Sequence, residues 1–169
     1  IIFIGEIMIT VLIPTDSEFE KHKAQIKEAY EKSQEKICDP NSFEFVVHNT
    51  LFFSFFLDGV FIGAIYYFKE NDKLFLNAFA LPKNHLANLE CLQLSTTWFK
   101  KPIYAEAQNR ASALCLLRCG FKRVEEEKII TPDDSGLICS VEDKNVIITH
   151  SNTITANNSP QPVLLQYDN

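Results

Sequence analysis

The chain has 169 residues, 46% of them apolar, 22% charged and 12% aromatic, with a net charge of -6. That length builds one core without disulfides, and 7 prolines with 5 glycines exclude a collagen-like or wholly disordered chain. Residues 1–124 balance 14 Lys+Arg against 14 Asp+Glu, and residues 125–169 carry 2 against 8, so no basic stripe marks a nucleic-acid partner.

The first residues, IIFIGEIM, lack the basic start and long apolar run of a signal peptide. Met8 is the only methionine, and Gly5-Glu6-Ile7 can be encoded with a ribosome-binding-like GGAG just ahead of it. Residues 1–7 are therefore expected to be a non-native leader read from a bacterial or phage gene. Residues 9–14 read as a strand. Asp16 or Ser17 can cap a helix running to Lys36, with Glu18 and Glu20 in its first turn. Phe19, Ile26, Tyr30 and Ile37 give that helix a narrow apolar stripe, and Asp39-Pro40-Asn41-Ser42 ends it.

Residues 43–48 are expected to form a short strand. Residues 51–68 are apolar enough to suggest a membrane span, but Asp58-Gly59 in the middle is a two-residue hairpin signal between strand formers. The reading is a hairpin of 51–57 with 60–69, and no membrane span. A further strand over 73–80 follows the polar turn Glu70-Asn71-Asp72. These strands are apolar on both faces, so helices should cover the sheet on both sides. Residues 85–99 read as a helix, 103–106 as a strand, and 109–119 as a helix ended by Gly120. Residues 121–128 and 136–141 are the last expected strands. From Asn145 the composition turns to Asn, Thr, Ser and Gln with Pro160 and Pro162, which reads as a polar extended tail, in which residues 145–150 and 162–165 could still pair with something.

The five cysteines are odd in number and form no CxxC pair, as expected of reduced thiols in a cytosol-like compartment. Cys115 and Cys119, four apart, read as small core-filling residues, and no metal is expected.

The order of elements, the hairpin FLDGVFIGAIYYF (56–68) and the segment NRASALCLLRCGF (109–121) resemble the GCN5-related N-acetyltransferase (GNAT) family. The resemblance spans roughly residues 9–141. It implies an α/β (α+β) fold with a mixed, mostly antiparallel central sheet, helices on both faces, and an extended C-terminal tail. The implied division is a GNAT-like domain over 8–143 and the tail over 144–169.

The resemblance further implies an acetyl-CoA site. Its pyrophosphate would sit on backbone N–H groups where residues 85–99 begin, and its thioester between the strands 73–80 and 103–106. Phe79, Leu81, Lys83, His85 and Asn109 fall at the cofactor-binding positions. Asn88 and Glu90 stand where the family has small residues, and Leu116 stands where it has a tyrosine acid. Glu106 is either a base beside the thioester or an edge-exposed carboxylate. Cys115 is either an acyl-accepting thiol or helix packing.

Two functions are open at this point. One is an N-acyltransferase using acetyl-CoA. The other is a pseudoenzyme with a degenerate active site that binds a protein partner or joins an assembly through its tail, like the GNAT-like proteins among the virion genes of some short-tailed phages. The expected location is the cytoplasm of a bacterial host cell, or the virion. A small-molecule binding or toxin–antitoxin module is a third class, with no residue in its favour.

Overall fold

The structure is a computed structural model describing residues 1–124 and 163–168. The described elements, eight strands and four helices, are mixed α/β. They fall into two compact units, residues 1–95 and 96–169.

The N-terminal unit is an antiparallel meander. Strand β1 (Ile2–Ile4) pairs with β2 (Ile7–Leu12), β2 with β3 (Leu51–Leu57), β3 with β4 (Val60–Glu70), and β4 with β5 (Lys73–Ala80). The stretch read as a leader thus includes β1, whose Phe3 lies opposite Met8. Asp58 and Gly59 turn β3 into β4 with φ of 48° and 78°, the left-handed pair that a two-residue hairpin needs. Asn71 and Asp72, at 49° and 61°, do the same between β4 and β5. The apolar run at 51–68 is therefore two strands, and no helix among the described residues is long and apolar enough to cross a membrane.

Helix α1 (Ser17–Ile37) buries Phe19, Ile26, Ala29 and Tyr30, one face of the helix as the stripe predicts. Asp16 holds the N-cap position, but its carboxylate accepts from the Ile13 N–H at 2.8 Å rather than from the helix. The expected strand at 43–48 is instead helix α2 (Phe43–Asn49). The Ser42 hydroxyl caps it by accepting from Phe45 N at 3.2 Å, and Phe43, Val46 and Val47 are buried at i, i+3, i+4 spacing. A run of strand-forming residue types concealed that period.

Phe19, Ile26 and Tyr30 of α1 and Phe43 of α2 join Phe52, Phe56, Phe61, Tyr66 and Phe79 of the sheet in one core. The Tyr30 ring meets Phe79 edge-on at 5.4 Å, and Phe52 stacks on Tyr66 at 6.1 Å. Neighbouring residues of a strand point to opposite faces, so Tyr67 faces away from Tyr66. There its hydroxyl meets Ser95 Oγ of helix α3 (His85–Thr96) at 2.6 Å. Both faces of the meander carry helices, as the doubly apolar strands predict.

In the C-terminal unit, strand β6 (Ile103–Ala107) leads to helix α4 (Arg110–Arg118) and the short strand β7 (Lys122–Arg123). Strand β8 (Val163–Tyr167), inside the stretch read as a tail, pairs antiparallel with both β6 and β7. Leu164 and Leu165 are buried in it. Helix α4 ends in Gly120 at φ 92°, and its Phe121 ring packs on Tyr167 at 5.4 Å. The expected strand at 136–141 lies outside the described residues.

Candidate functional site

The N-terminal end of α3 is built by three strand residues and one helix residue. Gly63 is buried in β4, where an added Cβ would overlap the Asn88 Oδ1 atom and lie 3.0 Å from the Phe79 carbonyl oxygen. Glycine is required here for close approach rather than for a turn. Into that space α3 turns the Asn88 side chain, whose Nδ2 donates to the Ile62 carbonyl at 3.1 Å and to the Asn84 carbonyl at 3.0 Å. The Ile62 oxygen also accepts from Leu81 N at 2.9 Å. One carbonyl of β4 therefore holds both the chain leaving β5 and the first turns of α3.

Each candidate cofactor residue of this unit has a definite place in that arrangement. Phe79 turns its ring into the aromatic core against Tyr30, Phe52 and Phe61. The Leu81 N–H is engaged by Ile62, so it is not available to a ligand. Lys83 and His85 are exposed on the approach to α3, whose first turn holds no acidic residue. The first N–H groups of a helix have no partner inside it and favour an anion. Glu90, one and a half turns in and exposed, opposes that preference. What this corner offers an anion is the Lys83 and His85 side chains and one helix end, beside the Asn88 amide.

Asp39 was legible in the sequence only as part of a helix stop, yet it anchors the polar network of this unit. Tyr66 Oη donates to Asp39 Oδ2 at 2.6 Å, while Asn41 donates to Oδ1 from N and Nδ2 at 2.9 and 2.8 Å. Tyr30 Oη and Gln34 Nε2 both donate to the Asn41 carbonyl at 2.8 Å. Burial, reinforced by Asp39, pushes both phenols above their ordinary range. They stay protonated donors at any physiological pH and cannot serve as bases. Their job is to tie the α1–α2 turn to β4.

In the C-terminal unit, Asn109 is the N-cap of α4, its Oδ1 accepting from Ser112 N at 2.9 Å. Glu106 is exposed on β6, opposite Leu164. Cys115 is half-buried on α4, and Leu116, where the resemblance expects a tyrosine acid, is buried. Burial pushes the Cys119 thiol up to about 12, so it is no thiolate at neutral pH. Burial, with Asp168 nearby, also raises Tyr104. No group of three or more His, Cys, Asp or Glu that could hold a metal occurs among the described residues. Lys83, His85 and Asn88 meet at one helix end, whereas Glu106, Asn109 and Cys115 belong to the other unit.

No family model matches the sequence, and no curated protein sequence matches it significantly. The structure, in contrast, is similar to solved acetyltransferases. An N-acetyltransferase from Staphylococcus aureus Mu50 superposes with a TM-score of 0.59 at 13% identity, covering 97% of this chain and 98% of that one. The ribosomal-protein-S5-alanine acetyltransferase of Vibrio fischeri gives 0.57 at 12% identity, over 98% and 93%. A GNAT-family acetyltransferase from Bacillus anthracis gives 0.51 at 15% identity, over 94% and 92%. The chain has the GNAT fold.

Proposed function

We propose that this chain is a GNAT-fold protein whose acyl-CoA site is degenerate, and that it works by binding rather than by acetyl transfer. The observation that carries this reading is the Asn88 amide. It bridges Ile62 and Asn84 and packs on Gly63, at the position where the family resemblance calls for a small residue and open backbone. Glu90 adds a carboxylate where phosphates would approach, the Leu81 N–H is already spent, and the buried Leu116 offers no proton to a departing thiolate. Fold alone does not supply an activity, and the site residues decide.

The same reading keeps the partner within a bacterial cell or a phage particle, where GNAT-like virion proteins are the resemblance it follows. Partner capture through residues 144–162 belongs to it as well, since β8 is already taken up by β6 and β7.

The second reading is an active N-acetyltransferase moving an acetyl group from acetyl-CoA to an amine. It is favoured by Lys83 and His85, exposed beside an α3 first turn free of acids. One titration separates the two. Ligand at a hundred times its dissociation constant stabilises a protein by about 2.7 kcal/mol, a shift of several degrees. The expected result with acetyl-CoA or free CoA is no shift. A clear shift overturns the degenerate-site reading and makes Glu106 and Cys115 the next residues to replace. The double variant Asn88→Gly/Glu90→Gly then tests the cause: protection by CoA appearing only in that variant places the loss at this corner.

A further inference from the structure

The neutral average over residues 1–124 conceals a division of charge. Residues 1–95 carry 8 Lys+Arg against 13 Asp+Glu, whereas residues 96–124 carry 6 against 1. In α1 four of the five lysines are neutralised in place: Lys21, Lys23, Lys27 and Lys32 pair with Glu18, Glu20, Glu31, Glu44 and Glu28. Arg110, Arg118, Lys122 and Arg123 have no such partner among the described residues, and all four are exposed.

Two of them are arranged on a helix face. Arg110, Leu114 and Arg118 follow one another at i, i+4 and i+8 on α4, so they share an arc of about 80° and span about 12 Å of its length. Leu114 is 44% exposed between the two guanidinium groups. Helix α4 buries its opposite side through Leu116, and its ends are closed by Asn109 and by Cys119 N bonded back to Cys115. Just past Gly120, β7 adds Lys122 and Arg123 after the Arg118 end of the stripe.

From this we infer that the exposed face of α4 is a docking surface for an acidic protein segment bearing a branched apolar side chain. Each guanidinium presents a planar fork that takes a carboxylate through two hydrogen bonds, and Leu114 supplies an apolar contact between them. Carboxylates on the partner one helical turn either side of an apolar residue match that spacing. The four exposed cations of α4 and β7 select for acid, and a central leucine has no counterpart on a phosphate backbone, which favours a protein occupant over a nucleic acid. This surface shares no residue with the α3 corner, so the proposal does not rest on whether CoA binds there.

The test is fluorescence anisotropy on the full chain with three labelled probes. They are a peptide alternating glutamate and leucine along one helix face, the same peptide with serine for leucine, and a short DNA duplex. The expected order is the leucine peptide first, the serine peptide at least tenfold weaker, and the duplex weakest. Arg110→Gln/Arg118→Gln should weaken the leucine peptide more than tenfold and leave the thermal melt unchanged. Leu114→Ala should erase the difference between the two peptides. Raising salt from about 0.05 M to about 0.5 M should weaken all binding. Lys21→Gln/Lys32→Gln removes the same charge from α1 and should change binding little. The proposal is overturned if no peptide binds, if the α1 variant weakens binding as much as the α4 variant, or if the duplex binds most tightly.

Discussion

The two units solve the same problem with opposite means. Apart from β2, which pairs with β3 across α1 and α2, the strands of the N-terminal unit pair with neighbours in sequence: two-residue turns join β3 to β4 and β4 to β5, aromatic rings fill the space under α1, and most of the α1 cations pair with nearby glutamates. The C-terminal unit is assembled from distant parts. Ile103 lies opposite Tyr167 and Ala107 opposite Val163, 64 and 56 residues apart along the chain. Its Arg110, Arg118, Lys122 and Arg123 have no ion-pair partner among the described residues. A unit made of local contacts tolerates change at its ends, whereas a unit closed by one remote strand depends on that strand.

The largest expected effect therefore comes from ending the chain after Asp143. That removes β8, the strand between β6 and β7, and exposes what Leu164 and Leu165 cover. The C-terminal unit should lose its amide dispersion in NMR spectra while resonances of the meander persist. A truncated chain with both units intact would break the comparison. Deleting only 144–160 keeps β8, so it is the variant with which to ask whether the polar segment captures a partner.

Within the N-terminal unit the tightest point is Gly63. Gly63→Ala drives a methyl group into Asn88 Oδ1, against the Phe79 carbonyl oxygen and the Ala80 Cβ, and should cost about 1–3 kcal/mol in denaturant unfolding. Adding Asn88→Ala removes one of the three obstacles, so the double variant should lose less than the sum of the single losses. Strict additivity would mean that the two residues do not press on each other.

Tyr66→Phe comes next. It removes the hydroxyl that donates to Asp39 and leaves that carboxylate one donor short, a loss of about 1–2 kcal/mol. The sign of its pH dependence follows from the raised phenol. A group held protonated in the fold contributes fully below its ordinary 10.0 and loses that contribution as the pH climbs past it. Wild type should thus lose stability above pH 10, and Tyr66→Phe should show a flatter alkaline limb. Equal limbs would remove Tyr66 as the cause.

What the sequence discloses tracks the same division. Turn chemistry and helix periodicity, at Asp58-Gly59, Phe19–Tyr30 and Asn109–Gly120, are local signals, and the structure has those turns and helices where the residues put them. The α2 helix was hidden because Phe and Val favour strands, and only the Ser42 cap argues otherwise. Residues 162–165 read as able to pair, but the partner of β8 was hidden because nothing near Val163 names a strand some 60 residues back. At the α3 corner, the sequence places Asn88 and Glu90 where the family resemblance expects small residues. It could not show that Asn88 spends its amide on the Ile62 carbonyl, because that requires knowing that Gly63 is beside it.

The smallest expected effect sharpens the contrast between α1 and α4. Lys32 pairs with Glu28 across one turn of α1, where hydrogen bonding and the lysine charge lower the glutamate from its ordinary 4.5. Both side chains are exposed, so water and salt already screen most of the attraction, and Lys32→Ala should shift the melting temperature by no more than about a degree. A carboxylate lowered in the fold contributes above its ordinary value and loses that contribution as the pH falls below it. The difference between Lys32→Ala and wild type should therefore vanish below pH 4.5 and in high salt. Arg118→Ala removes a cation with no such partner among the described residues, so its melt should match wild type at every pH and salt concentration. A pH-dependent loss in Arg118→Ala would mean that its charge serves the fold, leaving less of it free for a partner.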